Sequence, residues 1–191
     1  MTFKKTWKKI WRFLTESNSI WSWIVDILLV FLIVKFLILP GFGLLLGTSF
    51  PLVIVESGSM EHQATFDSWF SWAGEWYLDN NISKDLVYSW EFNNGMNKGD
   101  VVVVKGLRDR NYELGDVIIF KVPQQSTPII HRIISVQTTD GIKVYATKGD
   151  HNNGQLSYEH QIYNSQILGK AVFRVPKLGW VKLFFVDLFK K

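Results

Sequence analysis

The chain has no cysteine among its 191 residues, which excludes disulfides, thiolate zinc sites and a cysteine nucleophile in one step. Proline is scarce, at five, and charged residues make up only 20% against 47% hydrophobic, so the sequence is not that of a disordered chain. Charge is almost missing from Ile20 to Leu39 (IWSWIVDILLVFLIVKFLIL), where Asp26 and Lys35 are the two exceptions. Negative charge is missing from the start: Lys4, Lys5, Lys8, Lys9 and Arg12 all precede the first acid, Glu16. A net charge of +4 concentrated there fits lipid head groups better than nucleic acid, because Phe3, Trp7, Ile10 or Trp11, and Leu14 recur at helical spacing opposite the lysines.

Twenty apolar residues at about 1.5 Å each span a hydrocarbon core of roughly 30 Å. Ile20 to Leu39 is therefore expected to be a transmembrane helix, with Trp21 and Trp23 in the interfacial belt. The basic flank puts the N-terminus in the cytoplasm and everything after Leu39 outside. A cleavable signal peptide is the competing reading, but its apolar region is shorter. Pro40-Gly41 is expected to end the helix. The domain expectation is then a basic amphipathic segment at 1–19, the span at 20–39, a connector at 40–49, an extracytoplasmic β-rich domain at 50–176 and an apolar, interfacial tail at 177–191.

β-branched runs at Pro51 to Val55, Val101 to Val104, Val117 to Phe120, Ile129 to Val136, Ile142 to Thr147 and Ile167 to Val175 make the fold mainly β. Two strands open alike, KGDVVVV at Lys98 and LGDVIIF at Leu114, a Gly-Asp turn into a buried strand. An insertion at about 62–97 breaks the pattern. Within it TFDSWFSWAGEWYL reads as an amphipathic helix capped by Thr65 or Asp67, packed over the β core or resting on the membrane. Asn81-Ile82-Ser83 is a glycosylation sequon of low specificity.

Three stretches carry candidate chemistry. Ser57-Gly58-Ser59-Met60 closes the first strand, His131 lies inside the apolar run PIIHRIISV, and Asp150 follows a strand in TKGDHNNG. Singly each has a bland reading: a loop serine, a core histidine, a turn aspartate. A zinc site drawn from His62, His131, His151, His160, Asp150 and Glu159 has no recognised spacing, and no metal or cofactor is expected.

In chain order, an anchor, then SGSM, then GDVIIF with HRI, then TKGD resembles the type I signal peptidases, in their archaeal and endoplasmic-reticulum branch. The bacterial branch has a lysine base where this chain has His131. The resemblance implies a signal peptidase-like β-rich catalytic domain with an apolar surface on the membrane. It further implies a serine endopeptidase that removes signal peptides from preproteins, with the cell membrane as its location, one pass, and possible secretion-complex partners. It implies Ser59 as nucleophile, Ser57 and the Ser59 backbone at the oxyanion, His131 as general base and Asp150 as the acid. Two departures stand out: no proline follows SGSM, and Leu156 occupies the place of a second aspartate six residues past the TKGD acid. Glu159 is the alternative acid. Val53, Val55, Val102 and Val104 are expected to line a substrate strand paired by β-addition. A noncatalytic anchored β module, and a Ser-Lys peptidase using Lys105 or Lys148, remain the alternatives.

Overall fold

A computed structural model describes residues 6–8, 11–12, 16, 19–123 and 125–189, with residues 185–189 as backbone alone. Of the amphipathic stripe, Phe3, Ile10 and Leu14, with Lys4, Lys5 and Lys9, lie outside the described residues, while Trp7, Lys8, Trp11 and Arg12 are helical and exposed. Contacts divide the chain into two units, residues 1–45 and 46–191.

The first unit is dominated by helix α1, Ile20–Leu46, whose 27 residues, with a mean hydropathy of 2.6 over an 18-residue window, make it long and apolar enough to cross a membrane. Ser19 caps it by accepting the Ser22 N–H at 3.2 Å. The helix does not stop at Pro40, contrary to expectation. A wide turn at Val34–Ile38, in which the Leu39 N–H reaches back to the Val34 carbonyl, precedes the proline. Widening the helix there gives the ring room and absorbs the hydrogen bond it cannot make. The expected connector at 40–49 is thus helical to Leu46, and the chain turns at Gly47, with φ +65°.

The second unit is a seven-stranded antiparallel sheet. Its strands are β1 (Leu52–Ile54), β2 (Val101–Lys105), β3 (Val117–Phe120), β4 (Ile129–Thr139), β5 (Ile142–Lys148), β6 (Ile162–Tyr163) and β7 (Ile167–Val175), in the order β1-β2-β7-β3-β4-β5-β6. Both faces are covered, which is why VIIF is apolar without alternation. Val117 and Ile119 join Val102, Val104, Met60 and Met96 in one cluster, while Ile118 and Phe120 join Ile133, Tyr145 and Ile162 in another. The two Gly-Asp turns are tight for one reason: a Cβ on Gly99 would strike the Trp180 indole, and one on Gly115 the Trp90 indole.

The insertion forms helices α2 (Phe66–Asp79) and α3 (Lys84–Ser89). Thr65 caps α2 by accepting the Ser68 N–H at 3.4 Å, and Ser83 caps α3 in the same way. The apolar face of α2 (Phe66, Trp69, Phe70, Ala73, Tyr77) packs with Ile134 and Ala146 of the sheet, so its rings belong to the core. At the end of the chain α4, Trp180–Phe189, begins against the β1–β2 region: Gly179 donates to the Gly99 carbonyl at 2.7 Å and Leu183 is buried.

Candidate active site

Ser59 lies in the turn just past β1, where Glu61 N–H closes onto the Gly58 carbonyl at 3.0 Å. The turn is held from behind by the segment after β5. The His151 N–H donates to the Ser59 carbonyl at 2.8 Å, and Met60 is buried in the core. Gly149 passes so close that a Cβ there would stand 2.8 Å from both the Ser59 carbonyl and His131 Nε2. Only glycine fits that approach.

His131 sits in the middle of β4, opposite Ile118 of β3, and is 3% exposed. Its Nε2 is 3.0 Å from Ser59 Oγ and its Nδ1 is 2.5 Å from Glu159 Oε1. An ionised carboxylate only accepts, so Nδ1 carries the proton and Nε2 is left to accept from the serine. Glu159 is fully buried and closes a single helical turn after Leu156. Its carboxylate also accepts from the Leu156 N–H at 2.7 Å and the Thr147 hydroxyl at 3.2 Å. Ser57 Oγ lies 3.1 Å from Ser59 Oγ.

Asp150 is not the partner of His131, and the strand geometry explains why. Consecutive strand residues face opposite sides, so His131 and Arg132 project apart and each meets its own acid. Arg132 takes Asp150 as a fork, Nε to Oδ1 at 2.9 Å and Nη2 to Oδ2 at 2.7 Å, and spends its remaining N–H groups on the carbonyls of Glu91, Phe92 and Gly115. His62 Nε2 adds a contact to Oδ2 at 2.9 Å, and the Tyr77 hydroxyl donates to Oδ1 at 3.3 Å. Burial alone would raise the Asp150 pKa, but the guanidinium outweighs it and holds the carboxyl well below the usual carboxylate range. Burial would likewise lower Arg132, and Asp150 reverses this. Tyr77 is pushed up by burial and by the neighbouring carboxylate.

Two further expectations change. Val102 and Val104 are fully buried, and β2 has β1 on one side and β7 on the other, so β2 has no edge to offer a substrate. Val55 is buried and Val53 half-buried. The free edge belongs to β1, whose residues 51, 53 and 55 bond to β2 while Leu52 and Ile54 turn their backbone groups outward. Lys148 is not at the serine: its Nζ donates to the carbonyls of Gly149 and Asp150 and sits over the rings of Trp76 and Tyr77. Lys105 lies at the end of β2, paired in register with Lys170 of β7. Sequence reading gave Arg132 no role and weighed His62 only as a zinc ligand, although an arginine inside an apolar strand directly after the histidine was a visible signal that a second buried acid was needed.

A serine hydroxyl on an imidazole on a buried carboxylate is the arrangement of a serine hydrolase. No family model matches the sequence. It is 26% identical over 157 residues to the signal peptidase complex catalytic subunit SEC11 of Lachancea thermotolerans, across 78% of this chain and 74% of that protein. With SEC11C of Homo sapiens the identity is also 26% over 157 residues, across 79% of this chain and 65% of the relative. A shorter match to SEC11 of Zygosaccharomyces rouxii reaches 32% over 106 residues, 52% of this chain and 63% of that protein. The chain is thus similar, at modest identity, to SEC11-type catalytic subunits of the signal peptidase complex, which supports the resemblance to type I signal peptidases.

Proposed function

We propose that the protein is a membrane-anchored serine endopeptidase that removes signal peptides from preproteins, with Ser59 as nucleophile, His131 as general base and Glu159 as the acid that orients the ring. The observation that carries this reading is the unbroken relay from Ser59 Oγ to His131 Nε2 at 3.0 Å and from His131 Nδ1 to Glu159 at 2.5 Å. Ser59 Oγ attacks the scissile carbonyl carbon as its proton passes to Nε2. The tetrahedral oxyanion is met by the Ser57 hydroxyl and the Ser59 N–H. Collapse breaks the C–N bond, His131 gives its proton to the leaving amine, and water then releases the acyl group by the same relay in reverse. Glu159 keeps the proton on Nδ1 and stabilises the imidazolium.

The free edge of β1 runs directly into the serine turn. An extended substrate pairing with Leu52 and Ile54 would lead its scissile bond to Ser59. Helix α1 supports an anchor of one pass, and the basic residues before it support a cytoplasmic N-terminus, with the sheet domain on the opposite side. The named relatives are subunits of a complex, which supports partner subunits here as well.

The test is cleavage of a preprotein carrying an Ala-X-Ala site by the membrane-reconstituted protein. One cut at the signal-peptide boundary is expected, with Ser59→Ala and His131→Ala folded and slowed by about a thousandfold or more. Equal cleavage by all three proteins would remove the serine mechanism and favour a noncatalytic anchored module.

A further inference from the structure

We propose that the inserted helix α2 is a positioning device for the nucleophile: its aromatic stripe boxes the Lys148 ammonium and so fixes the segment 148–151 against the back of Ser59. The proposal rests on the assignment of Ser59 as the nucleophile made above. Gly149, Asp150 and His151 of this segment each touch the nucleophile turn. The Gly149 backbone fills the space between His131 Nε2 and the Ser59 carbonyl, Asp150 N–H points at Met60 Sδ at 3.5 Å, and the His151 N–H holds the Ser59 carbonyl at 2.8 Å. His151 Nδ1 also bonds the Glu61 carbonyl at 2.9 Å.

Helix α2 holds the same segment from the other side. Trp69 Nε1 donates to the Asp150 carbonyl at 3.2 Å, and the Trp72 ring stands edge-on to His151 with centroids 5.0 Å apart. Lys148 Nζ is 5.1 Å from the Trp76 ring centre and 4.9 Å from that of Tyr77, while it donates to the carbonyls of Gly149 at 3.1 Å and Asp150 at 3.5 Å. Two ring faces and two carbonyls are a site for a cation.

Lys148 is fully buried, and no carboxylate lies within ion-pair distance of its Nζ among the described residues. A charge so placed lowers stability compared with an apolar side chain of similar size. Its presence is explained if the cation is needed to draw the two carbonyls inward. Burial lowers the amine to about 8; Asp150 and Glu159 oppose the shift and Arg132 adds to it. Those three and Tyr77 of α2 are the titratable groups that face it. The sign of the linkage separates positioning from mere packing. A lysine with a lowered pKa is charged in both states below about 8, and between about 8 and 10.5 the unfolded chain holds a proton that the folded one has lost. Stability therefore rises across that window, whereas a nucleophile positioned by the cation loses reactivity there.

The experiment follows the rate at which a fluorophosphonate probe labels Ser59 in the full-length, membrane-reconstituted protein from pH 5 to 10, with preprotein cleavage and thermal unfolding alongside. Wild type should lose labelling on the alkaline side with a midpoint near 8. Lys148→Arg, which stays charged, should carry that limb upward by about one pH unit or more. Lys148→Met should label about tenfold more slowly at pH 7, show no limb near 8, and unfold at the same temperature as wild type or higher. Trp76→Leu should move the limb down and serves if Lys148→Met does not fold. An alkaline limb that stays put in Lys148→Arg, or Lys148→Met labelling as fast as wild type, overturns the proposal while cleavage leaves the peptidase reading standing. The expected labelling profile with an intact preprotein overturns the substrate assignment alone, and a wild type that does not label at Ser59 overturns both.

Discussion

Two buried histidine–carboxylate pairs flank the same serine turn, and they differ in what stands at the far side of each ring. His131 has Glu159 on Nδ1 and presents Nε2 to a hydroxyl. His62 has Asp150 on Nε2, lies flat on Trp69 with ring centroids 3.8 Å apart, and its Nδ1 finds no partner among the described residues. The carboxylates differ in the same sense. Glu159 accepts from neutral donors besides the imidazole, whereas Asp150 is neutralised by the fork of Arg132. A histidine–acid pair becomes catalytic when its second nitrogen meets a proton to be moved. The other pair fastens the β4 arginine, the loop after the nucleophile and helix α2 to one another.

The comparison can be broken by experiment, starting where the effect is largest. Glu159→Gln should lower kcat by about 100- to 10,000-fold with little change in unfolding temperature, because the ring loses its tautomer lock and its stabilising charge. Asp150→Ala should do the reverse. It strands a buried guanidinium, at a cost of about 3–5 kcal/mol in stability by chemical denaturation, yet each folded molecule should cleave faster than Glu159→Gln. Equal and mild losses in both variants would erase the distinction.

Acid supplies a subtler test. Because Asp150 is held below its ordinary range in the fold, its stabilisation is complete above the unfolded value of about 4 and is lost as pH falls further. Unfolding temperature should drop from pH 4 to pH 2 in wild type and less steeply in Asp150→Ala. Smallest of all, His62→Phe keeps the stack on Trp69 but removes the hydrogen bond to Asp150, for a loss of about 1–3 kcal/mol with turnover within a few-fold of wild type.

The strands were legible because β-branched runs bounded by Gly-Asp turns have few other ways to fold, and the apolar span because its length and composition suffice. The insertion's helix was legible from a 3.6-residue aromatic period and a threonine cap. The passage of α1 through Pro40 was not, since it depends on a wide turn that leaves no mark in the sequence. Nor was the burial of Val102 and Val104: strand order decides which strand keeps an edge, and β7, some seventy residues later, takes the far side of β2.

The sequence by itself determined the chemical inventory: a serine at the end of a strand, a histidine within another, two acids in the segment after the next strand, and an apolar segment ahead of them all. Which acid serves which base was decided by the tertiary structure alone. Glu159 reaches His131 because alternation along β4 sends the imidazole and the Arg132 guanidinium to opposite faces of the sheet, and each buried cation or ring must find its partner on the face where it arrives.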